Sequence, residues 1–205
     1  MLYRWIIQPI NRNEMNTRKL AFLILGGALC VALQITPRPP NVEFTSFICF
    51  VVGLTEGAMF GALFGGIVML INGFGSPWGF GGLNIPFQMA GMAIAGVLGG
   101  TYRRFTHDVS FSAKFSLETA VLGAFIALTY DLITNLGGVG IQLMLAGESP
   151  PLALLTAIVT GSFFSLVHIV SNTLVFGILF LPITNALNSL NLGDLPWSKK
   201  EHLYS

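Results

Sequence analysis

Asp131 and Asn135 stand four residues apart in an otherwise apolar run, and His168 and Asn172 repeat that spacing in another. Four residues is just over one helical turn, so each pair shares a helix face. An ionisable side chain within an apolar helix is costly unless it faces a partner, a cavity or water. Glu43 opens a further apolar run and Gln88 lies one turn into yet another, while Arg38, Asn41 and Asn84 flank the connections. Recognition by hydrogen bond and charge is the chemistry open to such a set. The expectation is one outward-facing pocket roofed by the 36–42 and 73–85 loops, with Asp131 foremost. Separate duties are the alternative: Glu43 capping its helix, Arg38 pairing with Glu43 at the surface, His168 bonding another helix. Glu56 and Glu118 read as charges at helix ends.

Catalytic chemistry has no comparable pattern. There is no G-x-x-x-x-G-K-[ST] phosphate loop, so ATP hydrolysis of that kind is excluded. H-E-x-x-H, G-x-S-x-G and Cys-x-x-Cys are missing as well. Glu43, Asp131 and His168 come from three separate runs, and nothing in their spacing forces them together as metal ligands. A haem would find only His168 as an axial ligand within a span. The expectation is a protein that is not an enzyme and needs no cofactor or metal.

The elements that would position these residues are transmembrane helices. Charged residues make up 9% of the 205 and apolar residues 53%, against about 25% charged in soluble domains. The net charge of +1 offers no basic tract for nucleic acid. Apolar runs place spans at 20–36, 43–52, 57–71, 86–102, 116–136 and 152–181. Pro37, Pro39 and Pro40 stop the first, residues 53–56 form the turn between the second and third, Gly137-Gly138 end the fifth and Pro182 ends the sixth. Threaded this way, Arg4, Arg12, Arg18, Lys19, Arg103, Arg104, Lys114, Lys199 and Lys200 share one side, and Arg38 alone lies opposite. Cytoplasmic loops retain Lys and Arg. An all-α bundle of six spans with both termini cytoplasmic is therefore expected: residues 1–19 an interfacial cytoplasmic segment, 20–182 the membrane domain, 183–205 a cytoplasmic tail. No small-x-small cleavage site follows the first span, which reads as retained. Trp78 is placed at headgroup level. Cys30 and Cys49, inside the first two spans, read as small core residues.

Gly53, Gly57, Gly61 and Gly65 recur every four residues, and Gly91, Gly96, Gly99 and Gly100 punctuate the fourth span. Small residues at that spacing let transmembrane helices approach closely. The first span adds Ala28-Leu29-Cys30-Val31-Ala32, a small-x-x-x-small pair. With the proline-containing 1–2 loop, the Asn41-Val42-Glu43-Phe44 entry, and the run from Pro86-Phe87-Gln88 through Gly91 to Leu98-Gly99-Gly100, the chain resembles the substrate-binding S component of energy-coupling factor (ECF) vitamin transporters. The resemblance covers most of the chain and rests on the ensemble, not on one motif.

That resemblance implies capture of a vitamin-like micronutrient at the plasma membrane. It also implies delivery to one membrane-embedded coupling subunit and two cytoplasmic ATPases, with Ala28 and Ala32 exposed toward the coupling subunit. The amides, carboxylates, Phe, Met and Trp on the expected pocket side suit a large, mostly neutral ligand bearing amides or aromatic rings. A cobalamin-like corrinoid leads narrowly over flavin or pyrimidine vitamins. Two readings from other classes stand beside it: a self-contained secondary transporter with a proton-coupled carboxylate, and an assembly subunit of a larger membrane complex.

Overall fold

The computed structural model describes residues 17–76, 79–105 and 113–189. The interfacial segment before residue 17, Trp78, and the tail beyond residue 189 lie outside them. Every regular element among the described residues is helical. Four stretches are long and apolar enough to cross a membrane: Ala58–Gly75, Gly82–Phe105, Lys114–Leu145 and Pro150–Leu187. These are the marks of a multi-pass membrane protein, and many of their large apolar side chains, such as Leu63, Phe125, Val159 and Leu166, face outward.

Helix α1 is Thr17–Ile35. It ends where Pro37 disfavours helical geometry at the residue before it. The chain reverses through Asn41, held at φ +61°, a conformation asparagine tolerates better than most residues. Helix α2 is Thr45–Glu56. Its free N-terminal amides are met by the Glu43 carboxylate, which accepts from Thr45 N at 2.5 Å and Ser46 N at 3.1 Å. At 12 residues, α2 is about 18 Å long, shorter than the ~20 residues of an ordinary span.

Helix α3 is Ala58–Gly75. The connection from α2 differs from the expected 53–56 turn. Residues 53–56 stay helical, and the whole break falls on Gly57 at φ +98°, where a Cβ would be strained. The chain doubles back there, because a Cβ on Gly61 would lie 2.6 Å from the Gly53 Cα. After a 3₁₀ turn at Gly82–Asn84, α4 runs Ile85–Phe105. It packs antiparallel on α3 with backbone nearly touching backbone. An added Cβ would sit 2.4 Å from Met92 O at Gly65, 2.2 Å from Gly61 O at Gly96 and 2.2 Å from Ala58 N at Gly100. Helix α2 meets the same face of α4, where a Cβ on Gly53 would lie 1.9 Å from Gly96 O.

Helix α5, Ala113–Leu132, does not end at Gly137-Gly138 as its sequence predicts. It widens into a π-helical segment, Ile133–Val139, and continues as α6, Gly140–Leu145. The two glycines are used for contact instead. A Cβ would lie 2.3 Å from the Phe87 ring at Gly137 and 1.8 Å from Asn84 Oδ1 at Gly138. Helix α7, Pro150–Ser189, runs antiparallel to α5 and passes through Pro182, the expected stop. Its 40 residues measure about 60 Å, twice the ~30 Å hydrocarbon core.

The helices form two packs. Glycine backbones hold α2, α3 and α4 together, while α5 and α7 form the second pack. Aromatic rings fill the space between: Phe47 and Phe50 meet Phe176 edge-on at 5.1 and 5.3 Å, and Tyr102 closes on Phe180 at 6.1 Å, with Phe115 of α5 against the same Phe180 ring at 5.5 Å. Phe50, Phe176 and Phe180 are fully buried. Cys30 and Cys49 are free and buried, as expected of small core residues.

Candidate functional site

Polar residues gather at the two ends of α2. At its C-terminal end Lys19 Nζ lies 3.4 Å from Glu56 Oε2, and Arg103 donates to Thr55 O at 2.7 Å. Glu118 pairs with Lys114 at 3.9 Å on an exposed face. Both glutamates are thus helix-end charges. The N-terminal end of α2 is where the candidate site is built.

Glu43, Asp131 and His168, from the α2 entry, α5 and α7, converge there. The His168 ring lies between the carboxylates, with Nδ1 2.9 Å from Asp131 Oδ1 and Nε2 3.0 Å from Glu43 Oε1. All three are at least 90% buried. Nothing in the spacing forced this meeting; Glu43 caps α2 and His168 bonds another helix, and the two duties join in one shared network. Asn172, one turn along α7, donates from Nδ2 to Glu43 Oε1 at 3.3 Å and to His168 O at 3.2 Å. The Ser46 hydroxyl also donates to Glu43. The Tyr130 ring stands edge-on to His168, centroids 5.4 Å apart.

Arg38 and Asn41 take part at one remove. Arg38 does not pair with Glu43. Its guanidinium donates to Leu33 O at 3.0 Å, to Val42 O at 2.9 Å and to Gln34 Oε1. Gln34 in turn donates to the Thr45 hydroxyl at 2.8 Å. Asn41 ties the α1–α2 loop to α7 through Phe164 O at 3.0 Å. Asn135 donates to the Ser165 hydroxyl at 3.2 Å and lies against Gly161. Asn84 and Gln88 share no hydrogen bond with the central three. Asn84 Oδ1 rests on Gly138 of the π segment, and Gln88 Oε1 is near Gly81.

No family model, curated protein or solved structure matches this chain. The site therefore has to be read from its own chemistry.

Four buried acceptor atoms at this end have no donor among the described residues: Asn84 Oδ1, Gln88 Oε1, Asp131 Oδ2 and Asn172 Oδ1. Leaving such an atom unpaired in a buried setting costs roughly 1–3 kcal/mol each. The carboxylate and amide oxygens of this set can accept hydrogen bonds from a donor-bearing guest or water. Metal binding is a poor match, because both His168 nitrogens are engaged and no group of three His, Cys, Asp or Glu among the described residues is placed to hold an ion.

Sequence reasoning missed the supporting residues Gln34, Thr45, Ser46, Tyr130 and Ser165. Ser46 had a readable signal, since it stands three residues after Glu43 at the head of an apolar helix. Gln34 and Ser165 had none beyond being polar among apolar neighbours. Ala28 and Ala32, by contrast, lie on the exposed face of α1. With Phe64, Ile67 and Val68 they line an apolar groove of about 610 Å³ between α1 and α3.

Proposed function

We propose that this chain is the substrate-binding subunit of an ATP-driven ECF-type uptake system, capturing a vitamin-like micronutrient at the plasma membrane. It crosses the bilayer six times with both termini cytoplasmic, and the Glu43–His168–Asp131 end faces outward. The observation that carries this reading is the set of four acceptors left unpartnered among the described residues, on the 3₁₀ turn before α4 and on α4, α5 and α7. A ligand rich in N–H or O–H donors completes them, and an amide-bearing corrinoid is one such molecule. The orientation draws on the nine Lys and Arg residues sharing one side in the six-span threading, and on Lys19 and Arg103 meeting at the far end of α2.

Delivery would run through the α1 face. Ala28 and Ala32 present a smooth strip beside the apolar groove, and small residues let a foreign helix pack closely. The coupling subunit is the partner proposed for that strip, with two ATPases behind it. The chain's lack of a phosphate loop fits this division of labour.

The first test is thermal unfolding of purified protein against a panel of vitamins and their precursors, corrinoids included. A ligand at a thousand times its dissociation constant adds about 4 kcal/mol, so the true substrate stands out. If folded, ligand-free protein ignores the whole panel, the capture reading fails. Ala28→Trp with Ala32→Trp should then abolish uptake and spare binding; loss of binding in folded protein removes the docking assignment.

One observation favours a second reading, a secondary transporter coupled to protons. A histidine bridging two buried carboxylates is the kind of array that relays protons within membranes. Uptake in vesicles that follows an imposed pH gradient without ATP would decide for it.

A further inference from the structure

The hydrogen bonding of the central three residues fixes the protons that lie between them. Two lone pairs cannot face each other at 2.9–3.0 Å, so each gap beside the His168 ring holds one proton. Two protons distributed over two carboxyl groups and one imidazole leave a net charge of −1, whichever atoms carry them. Among the described residues no Lys or Arg side chain pairs with the three. Arg38 directs its guanidinium to two carbonyls and Gln34 instead.

That charge is unevenly supported. Glu43 accepts from two backbone amides, the Ser46 hydroxyl and Asn172, at the positive end of α2. Among the described residues the Asp131 carboxylate accepts only from His168, and its Oδ2 has no donor. Asn172 supplies an independent second observation. Its Nδ2 donates to both Glu43 Oε1 and His168 O, which rules out the flipped amide and leaves Oδ1 as a fully buried acceptor without a donor among the described residues.

Resting on the capture reading, we infer that this cluster recognises a positively charged nitrogen on the captured molecule, a protonated amine or an amidinium. Asp131 Oδ2 and Asn172 Oδ1 accept its N–H hydrogens. A neutral amide would satisfy both acceptors and leave the net charge uncompensated in an apolar bundle, which is expensive. A proton on Asp131 would cancel the charge and leave Asn172 Oδ1 unmet. A cation with more than one N–H donor answers both at once.

The test uses the full chain in lipid nanodiscs, with thermal unfolding read against two matched pairs: benzamidinium against benzamide, and benzylammonium against benzyl alcohol. The charged member of each pair should raise the unfolding temperature and the neutral member should not. Asp131→Asn should weaken the charged probes on the order of 10- to 100-fold, the range for losing a charged hydrogen bond, and erase the preference. The wild-type comparison needs no variant, so a misfolded Asp131→Asn leaves the inference exposed to refutation. Equal shifts from charged and neutral probes overturn it. So does a micronutrient that stabilises the chain while both cations do nothing, and capture then stands without the cationic requirement. Silence from the cations and the whole micronutrient panel removes both.

Discussion

Replacing His168 with leucine should cost this protein about 3–5 kcal/mol, the range for removing one partner of a buried ion pair. His168 is 2% exposed and, among the described residues, makes the only hydrogen bond that Asp131 accepts through its side chain. Leucine fills similar volume, so little of the loss is cavity. Glu43 keeps its amide, hydroxyl and Asn172 donors, whereas Asp131 is left with two bare oxygens in the bundle. The penalty therefore resides mainly at position 131, and a second substitution there should relieve it. Asp131→Asn in the His168→Leu background replaces a stranded charge with a neutral amide and should recover about 2 kcal/mol, the middle of the range for leaving a buried polar group unsatisfied. The assay is reversible unfolding of bicelle-reconstituted protein by added SDS, with both single variants measured to complete the cycle. A His168→Leu cost below about 1 kcal/mol, or a double variant no more stable than that single one, would refute the assignment of a shared buried network.

Two further substitutions probe the bundle. Gly96→Ala puts a methyl 2.2 Å from Gly61 O, so α3 and α4 must separate, at about 1–3 kcal/mol; Gly66→Ala, with open space around it, should be neutral or stabilising in the same SDS titration. Pro182→Ala restores the amide missing inside α7 and should raise stability by up to about 3 kcal/mol, whereas an unchanged midpoint would mean that the freed Ile178 carbonyl already has a partner.

How much was legible in the sequence follows from what each signal measures. Hydropathy averages over long runs, so the helical class and the four long apolar stretches were readable. Four-residue glycine spacing correctly marked close packing for Gly53, Gly61 and Gly65, but Gly57 in the same series turned out to be the chain break. Spacing cannot distinguish a glycine chosen for contact from one chosen for its φ. Gly137-Gly138 and Pro182 misled for a related reason. Both look like stops in isolation, yet tertiary contact with Asn84 and Phe87 holds the first helix together as a π segment, and α7 continues past its proline. At the site, the local pairs Asp131/Asn135 and His168/Asn172 were visible as helix faces. The meeting of Glu43 with His168 spans 125 residues, and no local pattern encodes a contact at that range.

The two ways in which this bundle is packed have a mechanical consequence. Where α2, α3 and α4 touch through glycine, there are no rotamers to readjust, so any displacement immediately produces backbone collisions and that half moves as one stiff body. Between that half and α5–α7 lie aromatic rings, whose torsions can readjust in small steps. Relative motion is therefore channelled to the aromatic seam. Glu43 rides on one side of it and His168 and Asn172 on the other, so the hydrogen bonds they make to Glu43 act as a clasp across the seam, and breaking them would free the two halves to shift.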